Sequence, residues 1–231
     1  IMKMRTNKGP LFLFIRSILK SKEICAILLE YYLGNGVENM NLIEEMEAYA
    51  KEHHVPIMES EGIEFMLSFL KEHKCTKILE IGTAIGYSAI RMALLDESIE
   101  VDTIERDEER YHIAVENVKK AGLENRIHIQ LADALEAEVQ GPYDFIFIDA
   151  AKAQYIRFFE RYVPFLMKDG FVLSDNLGFH GMVEGTVEAK SRSTRALVRK
   201  IRSYIDYLKD NKNYETTFFD VGDGVAVSKK R

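Results

Sequence analysis

Apolar residues recur at helical spacing over residues 11–33 and again over 41–53, with a Gly34-Asn35-Gly36 break between them. A third helix is predicted from about Ser60 to His73, with Ile63, Met66, Leu67 and Leu70 on one face. From Lys77 the texture changes. Short apolar runs near 77–81, 100–105, 126–131, 143–149, 170–175, 214–220 and 224–229 read as strands. Helical patterns lie between them, near 86–95, 107–121, 153–167 and 192–210. Such alternation predicts an α/β fold, a mostly parallel, doubly wound sheet of seven strands with helices on both faces. The end departs from it. Tyr214–Asp220 and Val225–Ser228 flank Gly222-Asp223-Gly224, a hairpin signal, so the final strand should run antiparallel at or near a sheet edge. Residues 1–40 are expected to form a helical extension and 41–231 the domain that carries the chemistry.

Composition narrows the class. The 231 residues are 47% hydrophobic and 29% charged, as in an ordinary globular protein. A net charge of −6 removes whole-molecule attraction to nucleic acid, although a local basic patch stays open. Cys25 and Cys75 have no metal or redox spacing and read as plain thiols in a reducing compartment. Lys3, Arg5 and Lys8 precede the apolar run Leu11–Ile15, but Arg16 breaks it before the length of a signal peptide. No stretch approaches the ~20 apolar residues of a membrane span. The expectation is a cytoplasmic protein without a membrane partner.

The first chemical signal is a glycine turn between a strand and a helix, Lys77-Ile78-Leu79-Glu80-Ile81-Gly82-Thr83-Ala84-Ile85-Gly86-Tyr87-Ser88. Such a turn lets a ligand approach the backbone where helix N–H groups converge. The pattern is Glu-x-Gly-x-Ala-x-Gly and not the dinucleotide Gly-x-Gly-x-x-Gly. The carboxylate of Glu80 suits an ammonium better than a pyrophosphate. About 20 residues further on, the next strand ends in Glu105, placed to accept both ribose hydroxyls of an adenosine. Its neighbour Asp107 reads as a helix N-cap. Asp133, after the third strand, reads either as a reader of an adenine amino group or as a helix cap.

These segments resemble class I S-adenosylmethionine-dependent methyltransferases, a Rossmann-like fold, and more narrowly the cation-dependent O-methyltransferases that include catechol and caffeoyl-CoA enzymes. The resemblance covers about residues 40–231, including His54-Val55-Pro56-Ile57-Met58 and the terminal Val221-Gly222-Asp223-Gly224-Val225. It implicates Met58, Glu80, Gly82, Ser88, Glu105, Ala132 and Asp133 in holding S-adenosyl-L-methionine, with Asp149 alongside. The family's middle glycine is Ala84 here, a change expected to narrow the turn without blocking it.

The second signal is a pair of acidic strand tips, Phe145-Ile146-Phe147-Ile148-Asp149 and Phe171-Val172-Leu173-Ser174-Asp175-Asn176. Carboxyl ends of neighbouring parallel strands meet at the ligand crevice of such a sheet. Three oxygen donors there suit a hard cation such as Mg²⁺, and the resemblance places the metal ligands at Asp149, Asp175 and Asn176. Asp149-Ala150-Ala151-Lys152-Ala153-Gln154-Tyr155 matches the family's Asp-x-x-Lys-x-x-Tyr. Lys152 is then either a solvent-facing lysine or the acceptor of the substrate hydroxyl's proton; Tyr155 reads as packing. The implied reaction moves a methyl group to a hydroxyl adjacent to a second oxygen, with both oxygens on the ion.

Within the family, Glu44–Ala50, Ile81–Ala93, Glu105–Arg110 and Asp149–Lys152 are most similar to bacterial tRNA 5-hydroxyuridine methyltransferases. That similarity implies a tRNA anticodon loop as partner, with the wobble base giving 5-methoxyuridine, and the alternative is a small catechol-like or caffeoyl-CoA-type substrate. Arg192, Arg195, Arg199, Lys200 and Arg202 follow the Gly178–Lys190 loop, and Arg16, Lys20 and Lys22 form a second group. Either group reads as an RNA contact, Arg192, Arg195 and Arg199 foremost, or as a solvated helix face. The resemblance also implies a homodimer. A nicotinamide-dependent oxidoreductase shares the strand–glycine–helix unit but lacks its fingerprint here and has no use for Asp175-Asn176. A noncatalytic nucleotide binder would leave those ligands without purpose.

Overall fold

The computed structural model describes residues 37–231. The predicted 11–33 helix, Cys25 and the Arg16, Lys20 and Lys22 group lie outside the described residues. The chain divides into units of residues 1–45 and 46–231, a boundary that falls inside the first described helix, α1 (Val37–Glu52). The second unit carries everything that follows.

α2 (Ser60–His73) forms where its sequence pattern places it, burying Ile63, Met66, Leu67 and Leu70 on one face. Lys74 closes it in a left-handed conformation, φ 54°, its N–H returning to the Leu70 carbonyl. β1 (Lys77–Ile81) follows at once. Its start is held by Asp144, whose carboxylate accepts the N–H groups of Thr76 and Lys77 at 2.8 and 3.0 Å. Next come α3 (Tyr87–Leu95), β2 (Glu100–Glu105), α4 (Glu108–Lys120), β3 (Ile127–Leu131) and β4 (Tyr143–Ile148). α4 starts at Asp107, whose carboxylate accepts the Arg110 N–H at 3.0 Å, as expected of a cap. Its acids Glu108 and Glu109 sit in the first turn and its lysines in the last, the order that the helix dipole favours.

The second half holds α5 (Tyr155–Tyr162), β5 (Leu166–Ser174), α6 (Arg192–Asp210), β6 (Tyr214–Phe219) and β7 (Val225–Lys230). The seven strands order as β3-β2-β1-β4-β5-β7-β6. β1 to β5 are parallel, and β7 runs antiparallel between β5 and the edge strand β6. The expected Rossmann-like sheet is present. The predicted helix over 153–167 is shorter, because Pro164 cannot donate within a helix and the chain tightens into a 3₁₀ turn at Val163–Phe165. β5 consequently begins four residues before the predicted 170.

β4 reads as a near-continuous apolar run because both sheet faces are covered there. Phe145, Ile146, Phe147 and Ile148 are all buried, each contributing roughly 1.5–3 kcal/mol of burial. Right-handed crossovers send α3 and α4 to one face and α5 and α6 to the other, since strand order reverses between β1 and β4. No helix among the described residues is long and apolar enough to cross a membrane.

Candidate active site at the sheet switch point

Strand order reverses where β1 and β4 lie side by side, and a cavity of about 600 Å³ opens at their carboxyl ends. Gly82 makes that approach possible. It adopts φ +104°, and a Cβ added there would lie 2.1 Å from the Asp149 carbonyl oxygen. The turn is tied to β2 by the N–H groups of Gly82 and Thr83, which both donate to the Ile104 carbonyl at 3.0 and 3.2 Å. Ala84 takes φ 48°, a left-handed conformation that explains why glycine suits this position and that costs an alanine roughly 1–2 kcal/mol. Its N–H is compensated by Glu105 Oε2 at 2.7 Å.

Glu105 lines the cavity, yet its other oxygen accepts from the Arg106 and Asp107 N–H groups at 2.9 Å each. Three of about four acceptor positions on the carboxylate are therefore filled by backbone. Accepting both hydroxyls of a ribose requires it to release one of them.

Glu80 differs from the expectation of a carboxylate facing the ligand. It does not line the cavity but is fully buried beneath the turn, accepting the hydroxyl of Ser88 and, at 2.5 Å, that of Thr103. Thr103 in turn pairs with Thr83 at 2.6 Å. Burial pushes the Glu80 carboxyl up to about 7, although both hydroxyl donors oppose it and nearby Asp149 and Glu105 add to it. The folded value exceeds the ordinary one, so the folded chain binds the extra proton between about 4.5 and 7. Stability should fall as pH rises through that window. Glu80→Gln removes the titrating group while keeping the shape, and its denaturant midpoint is expected to lose part of this slope, the rest belonging to Asp175. A slope equal to that of the unsubstituted chain would show that Glu80 is not its source.

Met58, Gly82, Ser88, Ala132, Asp133, Asp149, Lys152 and Asn176 all line the cavity. Asp133 Oδ1 also accepts the Leu135 N–H at 2.8 Å, but no helix follows it, so the expected cap is a local turn instead. The acidic tips are placed by backbone bonds that extend the sheet by one residue. Asp149 N–H donates to Ile81 at 3.0 Å, and Asp175 N–H to Ile148 at 3.2 Å. Three strand ends are thus locked in line, β1 to β4 to β5. Asp175 is buried behind the cavity wall, with the Tyr155 hydroxyl donating to its carbonyl at 3.1 Å. Tyr155 itself is buried packing, as its sequence position suggests.

The electrostatics of the two acids are those of an uncompensated pair. Burial, then the charge of Asp149, pushes the Asp175 carboxyl up to about 7. Asp149 is raised as well, by burial, with the Lys152 ammonium opposing. Lys152 Nζ donates to Asn176 Oδ1 at 2.7 Å, which puts an ammonium, two carboxylates and an amide oxygen in one cluster. Two hard carboxylates and an amide oxygen are the donor set that Mg²⁺ accepts while keeping water or substrate positions. Burial is the first cause of both shifts, and the one Lys152 ammonium offsets two carboxylates only in part. A divalent cation would add the missing positive charge, so the residues fit the ion.

Other cavity residues carry little or no role from sequence, among them Tyr87, Phe179, His180, which reads at most as a substrate contact, and Asp223. Tyr87 is reached by helical phase from the glycine turn. The last three sit on two loops whose meeting no local pattern encodes. The α6 cations are not on the cavity wall. Arg195 donates to the Ala189 and Lys190 carbonyls and Arg202 to those of Met182 and Val183, so these two secure the 178–190 loop, while Arg192, Arg199 and Lys200 are exposed.

A switch-point cavity with a glycine turn on one strand and paired acids on the next two forms a candidate nucleoside-type cofactor site beside an acidic cluster that would suit a cation. A family model described as O-methyltransferase matches residues 34–231. The chain belongs to this O-methyltransferase family. A Staphylococcus aureus protein provisionally assigned as a caffeoyl-CoA O-methyltransferase is 37% identical, with TM-score 0.78 over 88% of this chain and 100% of that one. A Bacillus cereus O-methyltransferase in complex with S-adenosylhomocysteine is 26% identical, with TM-score 0.70 over 83% of this chain and 91% of the other. Among characterised sequences, the flavonoid 3',5'-methyltransferase of Vitis vinifera is 27% identical over 93% of this chain and 97% of its own.

Proposed function

We propose that this chain transfers the methyl group of S-adenosyl-L-methionine to a hydroxyl adjacent to a second oxygen, with Mg²⁺ held by Asp149, Asp175 and Asn176. The observation that carries the reading is the junction of Gly82 and Asp149, which sets the glycine turn directly against the acidic cluster. The sulfonium supplies an activated methyl carbon, and the cation supplies Lewis acidity that lowers the cost of an oxyanion. The protein's part is placement. The bare backbone at Gly82 and the carboxylate of Glu105 orient the nucleoside, and Met58 and Phe158 keep the transfer region apolar. Lys152, once its ammonium has given its own proton to solvent, receives the proton of the acceptor hydroxyl. The oxygen then takes the methyl carbon in line, and sulfur keeps the electron pair of the broken bond. Fixing both partners in one geometry accounts for much of the acceleration.

The relatives' names favour a caffeoyl-CoA-type or flavonoid catechol as acceptor. The second reading is 5-hydroxyuridine at the tRNA wobble position, whose 5-hydroxyl neighbours O4. It is favoured by the exposed Arg192, Arg199 and Lys200 beside the 178–190 loop. Incubation with labelled methyl donor should modify dihydroxyphenyl substrates or hydroxylated tRNA only when Mg²⁺ is present. Undiminished turnover in excess EDTA would refute the cation. For the second reading, Arg192→Glu with Arg199→Glu is expected to weaken tRNA methylation by about tenfold or more and to reduce its salt dependence. Small-catechol turnover should be unaffected. Unchanged tRNA kinetics in that variant would remove α6 from RNA recognition.

A further inference from the structure

Asp223 has a carboxylate oxygen with nothing to do. The residue is 7% exposed, lies on the wall of the cavity, and its Oδ2 has no hydrogen-bond partner among the described residues. Its other oxygen, Oδ1, accepts the N–H of His180, and its carbonyl accepts the N–H of Gly178 at 2.7 Å. The imidazole Nδ1 of His180 is 3.7 Å from Oδ2, beyond hydrogen-bond length, and the ring is mostly exposed. A buried acceptor left empty carries a desolvation penalty that a donor on a ligand would remove.

The surroundings show which ligand. Asn176, Phe179 and His180 all hold positive φ, at 58°, 47° and 55°. That strained run is pinned by Asp223 and Gly224, since Leu177 N–H also donates to the Gly224 carbonyl at 2.9 Å. The pinning sets the Phe179 and His180 rings at 5.7 Å with planes 30° apart, on the wall that continues from Asn176. The charge of Asp223 reaches both Asp175 and Tyr155, so its carboxylate belongs to the same neighbourhood as the cation ligands. A planar ring beside Asn176 would lie along an aromatic wall next to Asp223, whose covered Oδ2 it reaches by displacing the exposed His180 ring.

We infer that Asp223 Oδ2 accepts a hydrogen bond from the methyl acceptor, from a third polar group next to its two adjacent oxygens. The inference rests on the reading of the site as an O-methyltransferase centre and names its substrate class. The acceptor is a ring bearing hydroxyl, oxygen and donor in succession. A uracil ring hydroxylated at C5 carries hydroxyl, O4 and N3–H in that order, and a trihydroxyphenyl ring carries three hydroxyls. A plain catechol lacks the donor. Asp223 is a specificity-determining residue in this scheme and takes no proton in the transfer.

The test compares two matched pairs with the full chain: 5-hydroxyuridine against its N3-methyl derivative, and a 3,4,5-trihydroxyphenyl acid against the 3,4-dihydroxy acid. The donor-bearing member of at least one pair should show kcat/KM about tenfold or more above its partner, the factor expected when a buried acceptor is left unpaired. Calorimetric binding of the same pair, with S-adenosylhomocysteine in place of the methyl donor, should give the same ratio. Asp223→Asn keeps an oxygen for the His180 N–H and turns Oδ2 into a donor. It should bring the ratio to about one or below, by lowering the donor-bearing member more than the donor-free one. A structural role alone would lower both members together. Equal efficiency within both pairs in the unsubstituted chain overturns the inference and leaves the methyltransferase reading intact. No methylation of any of the four overturns that reading and the inference with it.

Discussion

Asp175→Asn is expected to cut methyl transfer by roughly 10²–10⁴-fold and, in the same protein, to raise the melting temperature at pH 8. Removing a carboxylate from the proposed cation site forfeits several kcal/mol of charge stabilisation in the reaction, which sets the size of the loss. The gain in stability has a separate origin. Asp175 is pushed up to about 7 from an ordinary 3.8, first by burial and then by Asp149, so holding it ionised at pH 8 strains the fold. The sign follows from linkage. The folded chain binds the extra proton, its stability is full below about 4, and it declines until pH passes about 7. An amide carries no such penalty, and relief on the order of a few kcal/mol is available. Added Mg²⁺ should stabilise the unsubstituted chain by binding the folded state, and the variant far less. If the variant kept full activity, or lost stability and showed a normal Mg²⁺ response, the cation site would have to be sought elsewhere.

Gly82→Ala should be the most damaging single-methyl change in the turn. Its φ of +104° lies where only glycine is at ease, and the new Cβ would meet the Asp149 carbonyl at 2.1 Å. Backbone strain and overpacking cost about 1–3 kcal/mol each. The fold can escape only by moving β1 away from β4 at the switch point, the place where the cofactor has to sit. Melting should fall by roughly 5–15 °C for a unit of this size, and binding of S-adenosylhomocysteine should be lost by calorimetry. Gly122→Ala is the matched control. It also has positive φ, 68°, but a Cβ there meets nothing within 4 Å. Its cost should be near the strain alone, about 1 kcal/mol, with cofactor binding intact. Equal effects from both substitutions would mean that the approach to Asp149 is not what demands glycine.

The elements were legible because helix and strand periods are properties of near neighbours. The face Ile63, Met66, Leu67 and Leu70 buries as its spacing predicts, and the Gly222-Asp223-Gly224 turn delivers the antiparallel β7. Where the pattern misled, a nearby residue overrode the period: Pro164 ended α5 early and lengthened β5. In the site, Gly82, Asp149 and Asn176 stand where strand-end reasoning puts them. Glu80 does not, because alternation along β1 sends its side chain under the turn to Ser88 and Thr103. Two of the α6 arginines bond to loop carbonyls, a use that charge counting cannot distinguish from solvent exposure.

By itself, then, the order of residues determined the sheet with its helices, the glycine turn, the acidic strand tips and membership of the O-methyltransferase family. Only folding decided what each polar atom faces. Asp149 bonds back to Ile81, Asp175 to Ile148, and Asp223 holds His180. Each pair is far apart in the chain, so which carboxylates became crowded, which became filled and which stayed empty was set by contacts that no local period records.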